Sequence, residues 1–128
     1  MRRSFRPCSG GTETRTRSKR PWHAGRPVAK SSADTFADGL ATRNVYDMTF
    51  PALRAGLSGF VTVSEAEIAE AVRLLLRTTH NLAEGAGAAG LAALLKLREN
   101  LSGQKVGTIL SGGNLDAETL RRVVSREL

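Results

Sequence analysis

Val106-Gly107-Thr108-Ile109-Leu110-Ser111-Gly112-Gly113-Asn114-Leu115-Asp116 reads as a buried strand, a tight turn and the start of a helix. A nearly continuous apolar run is what a strand needs when helices cover both faces of its sheet. Gly112 and Gly113 allow a sharp turn after Leu110 and Ser111. Asp116 can cap the helix that follows, in which Leu120, Val123 and Val124 recur at i, i+3 and i+4. A strand that feeds a helix in this way is a unit of a layered α/β fold with a mostly parallel sheet.

The same alternation extends toward the N-terminus. Glu84-Gly85-Ala86-Gly87-Ala88-Ala89-Gly90 leads into Leu91, Ala92, Leu94, Leu95 and Leu97, a helix unusually rich in small residues. Each interior Gly costs about 1 kcal/mol relative to Ala, so such a helix is expected to press against another backbone or a ligand. Before it, Ser64 and Glu67 form a capping box, with Glu65 and Glu67 at the positive end of the helix dipole. Ile68, Ala71, Val72, Leu75 and Leu76 then make one apolar stripe, and a linker over 78–83 follows. Phe60-Val61-Thr62-Val63 suits a short strand, and Phe50-Pro51 a short helix ending near Gly56 or Gly59. Ser31 to Asn44 is a polar loop around Phe36 with Ala37-Asp38-Gly39-Leu40 at its centre, and Trp22 to Val28 reads as a helix end with a Gly stop and a Pro block. Gly103-Gln104-Lys105 is a turn. The expected order is helix, strand, helix, helix, strand, helix.

At 128 residues the chain has room for one modest core. Its apolar runs are short and none approaches the roughly 20 residues that cross a bilayer as a helix, so no membrane partner is expected. Cys8 is the only cysteine, which rules out an internal disulfide. His23 and His80 carry no ligand spacing, and neither a nucleophile triad nor a phosphate-cradling glycine motif is present.

The net charge of +7 sits at one end. Residues 1–30 hold nine Lys or Arg against the single acid Glu13, whereas the other residues hold ten bases and eleven acids. The basicity therefore belongs to an arm over residues 1–20, too poor in large apolar groups to order itself, ahead of a segment over 21–128. Such an arm also shares the composition of an organellar transit peptide or a polyanion-binding tail. A domain that reads nucleic acid would carry its charge on the folded part, so nucleic acid is not the expected partner. The rival to an enzyme reading is a non-catalytic α/β binding module whose basic arm contacts nucleic acid or an acidic partner; a sensing or structural domain is a third.

Ligands of open parallel sheets sit beyond the carboxyl ends of the strands. Ser111 and Gly112 occupy that position, where a hydroxyl and a bare backbone can meet a planar ligand, although an ordinary strand-to-helix turn reads the same way. From the residues alone Glu84 reads first as a helix-capping acid and second as a pocket residue, and Gly39 reads first as part of a plain turn.

Taken in order, Trp22-His23-Ala24-Gly25-Arg26-Pro27-Val28, Ala37-Asp38-Gly39-Leu40-Ala41, Thr49-Phe50-Pro51, Val61-Thr62-Val63-Ser64-Glu65-Ala66-Glu67-Ile68, Glu84-Gly85-Ala86-Gly87-Ala88 and Ser111-Gly112-Gly113-Asn114-Leu115-Asp116 resemble the threonine dehydratase family of fold-type II pyridoxal-phosphate enzymes. The threonine and serine ammonia-lyases belong there, and serine racemase is a close relative. The resemblance covers residues 22–126, about four-fifths of the chain. It implies a partial parallel sheet with flanking helices, the C-terminal part of the large domain, and pyridoxal phosphate as cofactor. It places Ser111 against the pyridine nitrogen, with Gly112, Glu84 and Gly39 around the cofactor. A neutral hydroxyl there makes the ring a weaker electron sink than a carboxylate would, which suits elimination of a β-hydroxyl group.

The family's S-F-K-x-R-G segment, which carries the Schiff-base lysine, and its G-G-G-G-L phosphate loop have no counterpart here, and Lys30, Lys96 and Lys105 stand in no such motif. No catalytic residue is therefore assigned, and no metal ligand. The resemblance implies a cytoplasmic, catabolic lyase that turns L-threonine or L-serine into a 2-oxo acid and ammonia, with a homo-oligomeric assembly open. The end at Leu128 is similar to that of the shorter type without a regulatory domain, and the chain by itself is expected to be inactive.

Overall fold

A computed structural model describes residues 10–12, 34–42 and 46–128. The helix end expected over 22–28 and the arm's Cys8 lie outside the described residues.

The chain order is strand β1 (Gly10–Thr12), a 3-10 turn (Asp38–Leu40), helix α1 (Phe50–Gly56), strand β2 (Val61–Val63), and helices α2 (Glu65–Thr79), α3 (Gly85–Lys96) and α4 (Ala117–Val124). β1 and β2 pair in parallel, Gly10 opposite Val61 and Thr12 opposite Val63. A parallel pair with packed helices is an α/β arrangement, as the alternating pattern suggests. Gly10–Thr12 lies in the arm whose composition suggests disorder or weak docking. Its pairing with β2 is a tertiary event that arm composition does not report.

Local chemistry sets the helix ends. The Ser64 hydroxyl accepts the Glu67 N–H at 3.2 Å while the Glu67 carboxylate accepts the Ser64 N–H at 2.7 Å, completing the capping box. α2 stops where His80 turns left-handed at φ 57°. Asp116 caps α4 by accepting the Thr119 N–H at 2.9 Å. Pro51 stands in the first turn of α1, where its missing N–H costs nothing.

α2 lays Ile68, Ala69, Ala71 and Val72 against α3, which contributes Ala88, Ala89, Ala92 and Ala93. With alanine facing both larger side chains and other alanines, the two helix backbones can approach closely. Val63 of β2 and Val123 of α4 close the core, and Arg73 reaches from α2 to the Val123 carbonyl at 2.6 Å.

One expected element is absent. Val106 to Leu110 forms no strand; it follows the turn at Gly103 as irregular chain and ends at Ser111. A strand exists only as part of a ladder, and no backbone group of 106–110 meets a backbone partner among the described residues. The segment is held instead on α3, with the Thr108 hydroxyl where a side chain at Gly90 would stand. Val106, Ile109 and Leu110 are 51%, 81% and 41% exposed, so the β-branched character of the run has no buried face to serve.

Candidate functional site

The N-terminus of α3 gathers the backbone of two distant loops. The Glu84 N–H donates to the Gly112 carbonyl at 3.1 Å, joining the 111–114 turn to the residue that opens α3. One turn into the helix, a Cβ on Gly87 would lie 2.5 Å from that same Gly112 oxygen, which explains why α3 accepts a glycine there. On the other flank, Gly39 rests on Ala86 and Glu84: a Cβ on Gly39 would stand 2.8 Å from the Ala86 Cβ and 3.6 Å from Glu84 Oε1. Glu84 makes no side-chain capping bond to its own helix. Its carboxylate turns to Gly112 instead, with Oε1 only 2.7 Å from where a Cβ would be. The reading of α3 as a helix that presses on backbone is met at both ends of this contact.

Beside Glu84 a hollow of about 490 Å³ opens between the 34–39 loop, the start of α2 and α4. Gly39 and Glu84 line it; Ser111 and Gly112 do not. Gly112 is tied to the hollow through Glu84, whereas Ser111 is exposed and lies outside the lining. The structure thus brings Gly39, Glu84 and Gly112 together, while Ser111 is not among the residues that line the hollow.

The sequence presents Glu65 only as a dipole partner of α2. It also borders the hollow, and its Oε2 accepts the Phe36 N–H at 3.2 Å, pinning the loop that carries Gly39. Its Oε1 is buried with no hydrogen-bond partner among the described residues. No spacing rule flags such a residue, because the contact spans 29 positions and depends on the loop's fold.

The lining is acidic. Among the described residues, Asp34, Asp38, Glu65, Glu84 and Asp116 face it with Arg122 as the single cation. The Thr119 hydroxyl and N–H hold the Asp116 carboxyl below the usual carboxylate range, so it stays charged. Among the described residues no group of three His, Cys, Asp or Glu is placed to hold a metal ion. No described helix is long and apolar enough to cross a membrane.

The parallel strand pair with helices packed on it is the arrangement of an α/β protein. Residues 11–112 match the pyridoxal-phosphate dependent enzyme family, and the chain belongs to it.

Within the family the chain is similar to ammonia-lyases. It is 48% identical over 95 residues to the L-threonine ammonia-lyase of Geobacter sulfurreducens, covering 73% of this chain and 23% of that protein. It is 37% identical over 100 residues to an L-threo-3-hydroxyaspartate ammonia-lyase of a Pseudomonas species, covering 78% of this chain and 31% of the relative. Among solved structures, a threonine deaminase from T.th. superposes with a TM-score of 0.80 at 38% identity, covering 85% of this chain and 39% of that one. The chain therefore spans about a quarter to a third of the length of these two curated relatives.

The described residues fit only part of the family's cofactor. Of the glycines beside Glu84, Gly39 borders the hollow and Gly112 is packed against the Glu84 carboxylate. Among the described residues a phosphate would find Arg122 beside five acids, and no described lysine lines the hollow to take an aldehyde: Lys96 is 3.2 Å from Glu67 Oε2 on α2.

Proposed function

We propose that this chain forms the C-terminal part of the cofactor-binding domain of a pyridoxal-phosphate dependent ammonia-lyase acting on a small β-hydroxy amino acid, L-threonine or L-serine. The observation that carries the reading is the convergence of Gly39 and Gly112 on Glu84, two loops 73 residues apart meeting at one carboxylate in a family whose cofactor is a flat ring. The activities named for the two relatives differ in the group beyond the hydroxyl, which supports the β-hydroxy amino-acid class more strongly than either substrate.

In this role Glu84 and Gly39 border the ring, Gly112 allows its close approach, and the Ser111 hydroxyl is the hydrogen-bond partner for the ring nitrogen. The cofactor, when bound, supplies the electron sink for removing a proton and a hydroxyl group. This chain's residues bind and orient it. Covalent capture of its aldehyde and anchoring of its phosphate fall to the lysine segment and glycine-rich loop that have no counterpart in this sequence, so the chain alone is expected to be without turnover.

The test is to combine the purified chain with the portion of the Geobacter sulfurreducens relative that lies outside the match, add pyridoxal phosphate, and measure 2-oxo acid and ammonia from L-threonine and L-serine. Turnover only in the mixture, lost with Ser111→Ala, is the expected result. Deamination by the chain alone, or a mixture that binds the cofactor normally with Ser111→Ala, would refute the assignment.

A further inference from the structure

We propose that the cleft between the outer face of α2 and the end of α4 binds a phosphate group, held by Arg77, Arg126 and the outer nitrogen of Arg73. The inference goes beyond the ammonia-lyase reading and does not depend on it, since this cleft shares no residue with the hollow beside Glu84.

The cleft, of about 270 Å³, is lined by Glu70, Arg73, Leu76 and Arg77 of α2 and by Val124 and Arg126. Among these residues the cations are all Arg, and they face a single acid. Arg73 is anchored: its Nε donates to Glu70 Oε2 at 2.9 Å and its Nη1 to the Val123 carbonyl at 2.6 Å, while its Nη2 makes no bond among the described residues. Arg77 and Arg126 have neither an ion pair nor a side-chain hydrogen bond among the described residues. Both stand near Glu70, whose carboxyl is held below the ordinary range first by the hydrogen bond from Arg73 and further by the charges of Arg126 and Arg77. One carboxylate thus answers one of three guanidiniums, and two positive charges are left at the cleft.

The backbone supplies a second sign. α4 closes with the Glu127 N–H on the Arg122 carbonyl at 2.9 Å and the Arg126 N–H on the Val123 carbonyl at 3.3 Å, which puts Arg126 in the left-handed position at φ 61°. Glycine takes that conformation without cost and arginine does not. Strain of this kind points to work done by the side chain, and here the side chain lines the cleft. The forked donors of arginine suit phosphate oxygens, and two unanswered charges match a phosphate dianion better than a lone carboxylate. The cleft has room for one such group and not for the run of phosphates that a nucleic acid would bring.

The experiment titrates the purified chain with inorganic phosphate at constant ionic strength and follows residue-resolved NMR shifts together with thermal unfolding. The expected result is saturable shifts at Arg77, Val124 and Arg126 with a dissociation constant on the order of 1 mM, and an unfolding temperature that rises as phosphate is added. Arg77→Gln should weaken binding about tenfold. Arg126→Gly separates binding from folding, because it removes a guanidinium while relieving the backbone: it should unfold at no lower temperature than the parent and yet bind about tenfold more weakly. Arg98→Gln, which removes the same charge from an exposed residue outside the cleft, should leave the affinity unchanged.

Shifts confined to the basic residues 1–30, or an equal loss with Arg98→Gln, would reduce the effect to the charge of the whole chain and overturn the site. Acetate bound as tightly as phosphate would overturn the phosphate assignment. Glycerol phosphate bound more tightly than the free ion would name a phosphorylated small molecule as the ligand; equal or weaker binding would name the free ion.

Discussion

Glu84 and Gly112 hold each other by both ends: the Glu84 N–H donates to the Gly112 carbonyl at 3.1 Å, while the Glu84 carboxylate sits 2.7 Å from the point where a Gly112 side chain would begin. The residue that opens α3 and the turn that follows the bare 106–110 segment are thus one unit. Whatever moves the turn moves the acid.

Two glycines in this unit should respond unequally to the same substitution. In Gly112→Ala the new methyl meets the end of the Glu84 side chain, which can rotate away. In Gly87→Ala it meets the Gly112 carbonyl at 2.5 Å, and backbone must give. Overpacking typically costs about 1–3 kcal/mol, and the roughly 1 kcal/mol that Ala gains over Gly inside a helix offsets part of it. We expect Gly87→Ala to lower the urea midpoint of the purified chain. Gly112→Ala should leave it within about 0.5 kcal/mol of the parent. Equal losses would mean that Glu84 is as fixed as the backbone.

The caps of α2 and α4 should also separate. Ser64→Ala removes the hydroxyl that accepts the Glu67 N–H and with it one half of a reciprocal pair. Asp116→Ala removes a single bond to Thr119. Both fall in the range of about 0.5–2 kcal/mol, with Ser64→Ala the costlier because α2 supplies more of the core. Thermal unfolding of the two variants checks the order.

These caps were legible from the residues because a capping box is written within four positions. The small-residue character of α3 was legible too, as a cost that only close backbone contact explains. The pairing of Gly10–Thr12 with Val61–Val63 was not, since nothing in an arm rich in Arg and Thr announces a partner about fifty positions away. Val106–Leu110 misled in the opposite sense. Its sequence carries the composition of a buried strand, but composition states what a segment does once neighbours exist, and none pairs with it among the described residues. The meeting of Gly39 and Gly112 at Glu84 could be anticipated only from the order of family motifs, while the exposure of Ser111 was invisible to both.

Glu65→Ala should loosen the loop that carries Gly39 without unfolding the chain. It deletes the acceptor of the Phe36 N–H and also removes a carboxylate oxygen that is buried without a partner among the described residues. The two effects oppose in stability, so the global change is expected to stay below about 1 kcal/mol. Locally nothing compensates. Amide exchange at Phe36 should accelerate while that of the α2 core, Ile68 to Val72, stays as in the parent. A uniform acceleration would show that Glu65 supports the fold rather than the loop.

Acid should destabilise the chain in a window that Glu67 helps set. Burial pushes the Glu67 carboxyl up, but the Ser64 N–H and the Lys96 ammonium outweigh it and hold the folded value below the ordinary 4.5. Glu70, beside Arg73, is lowered in the same direction. In the unfolded chain these groups take up protons first, near 4.5, so the unfolded state binds more protons as pH falls and the stabilisation drains away. It is fully present above that value and lost below it. Both groups keep solvent contact, so the loss per group is modest and screened by salt. Glu67→Gln should therefore be less stable than the parent at neutral pH, where it forfeits the ion pair with Lys96, and should approach the parent at acid pH, where the parent has lost that pair as well. Urea titrations of both proteins at neutral pH and well below 4.5 measure the gap. A gap that stays constant with pH would mean that the Glu67 charge adds nothing beyond the cap it makes with Ser64.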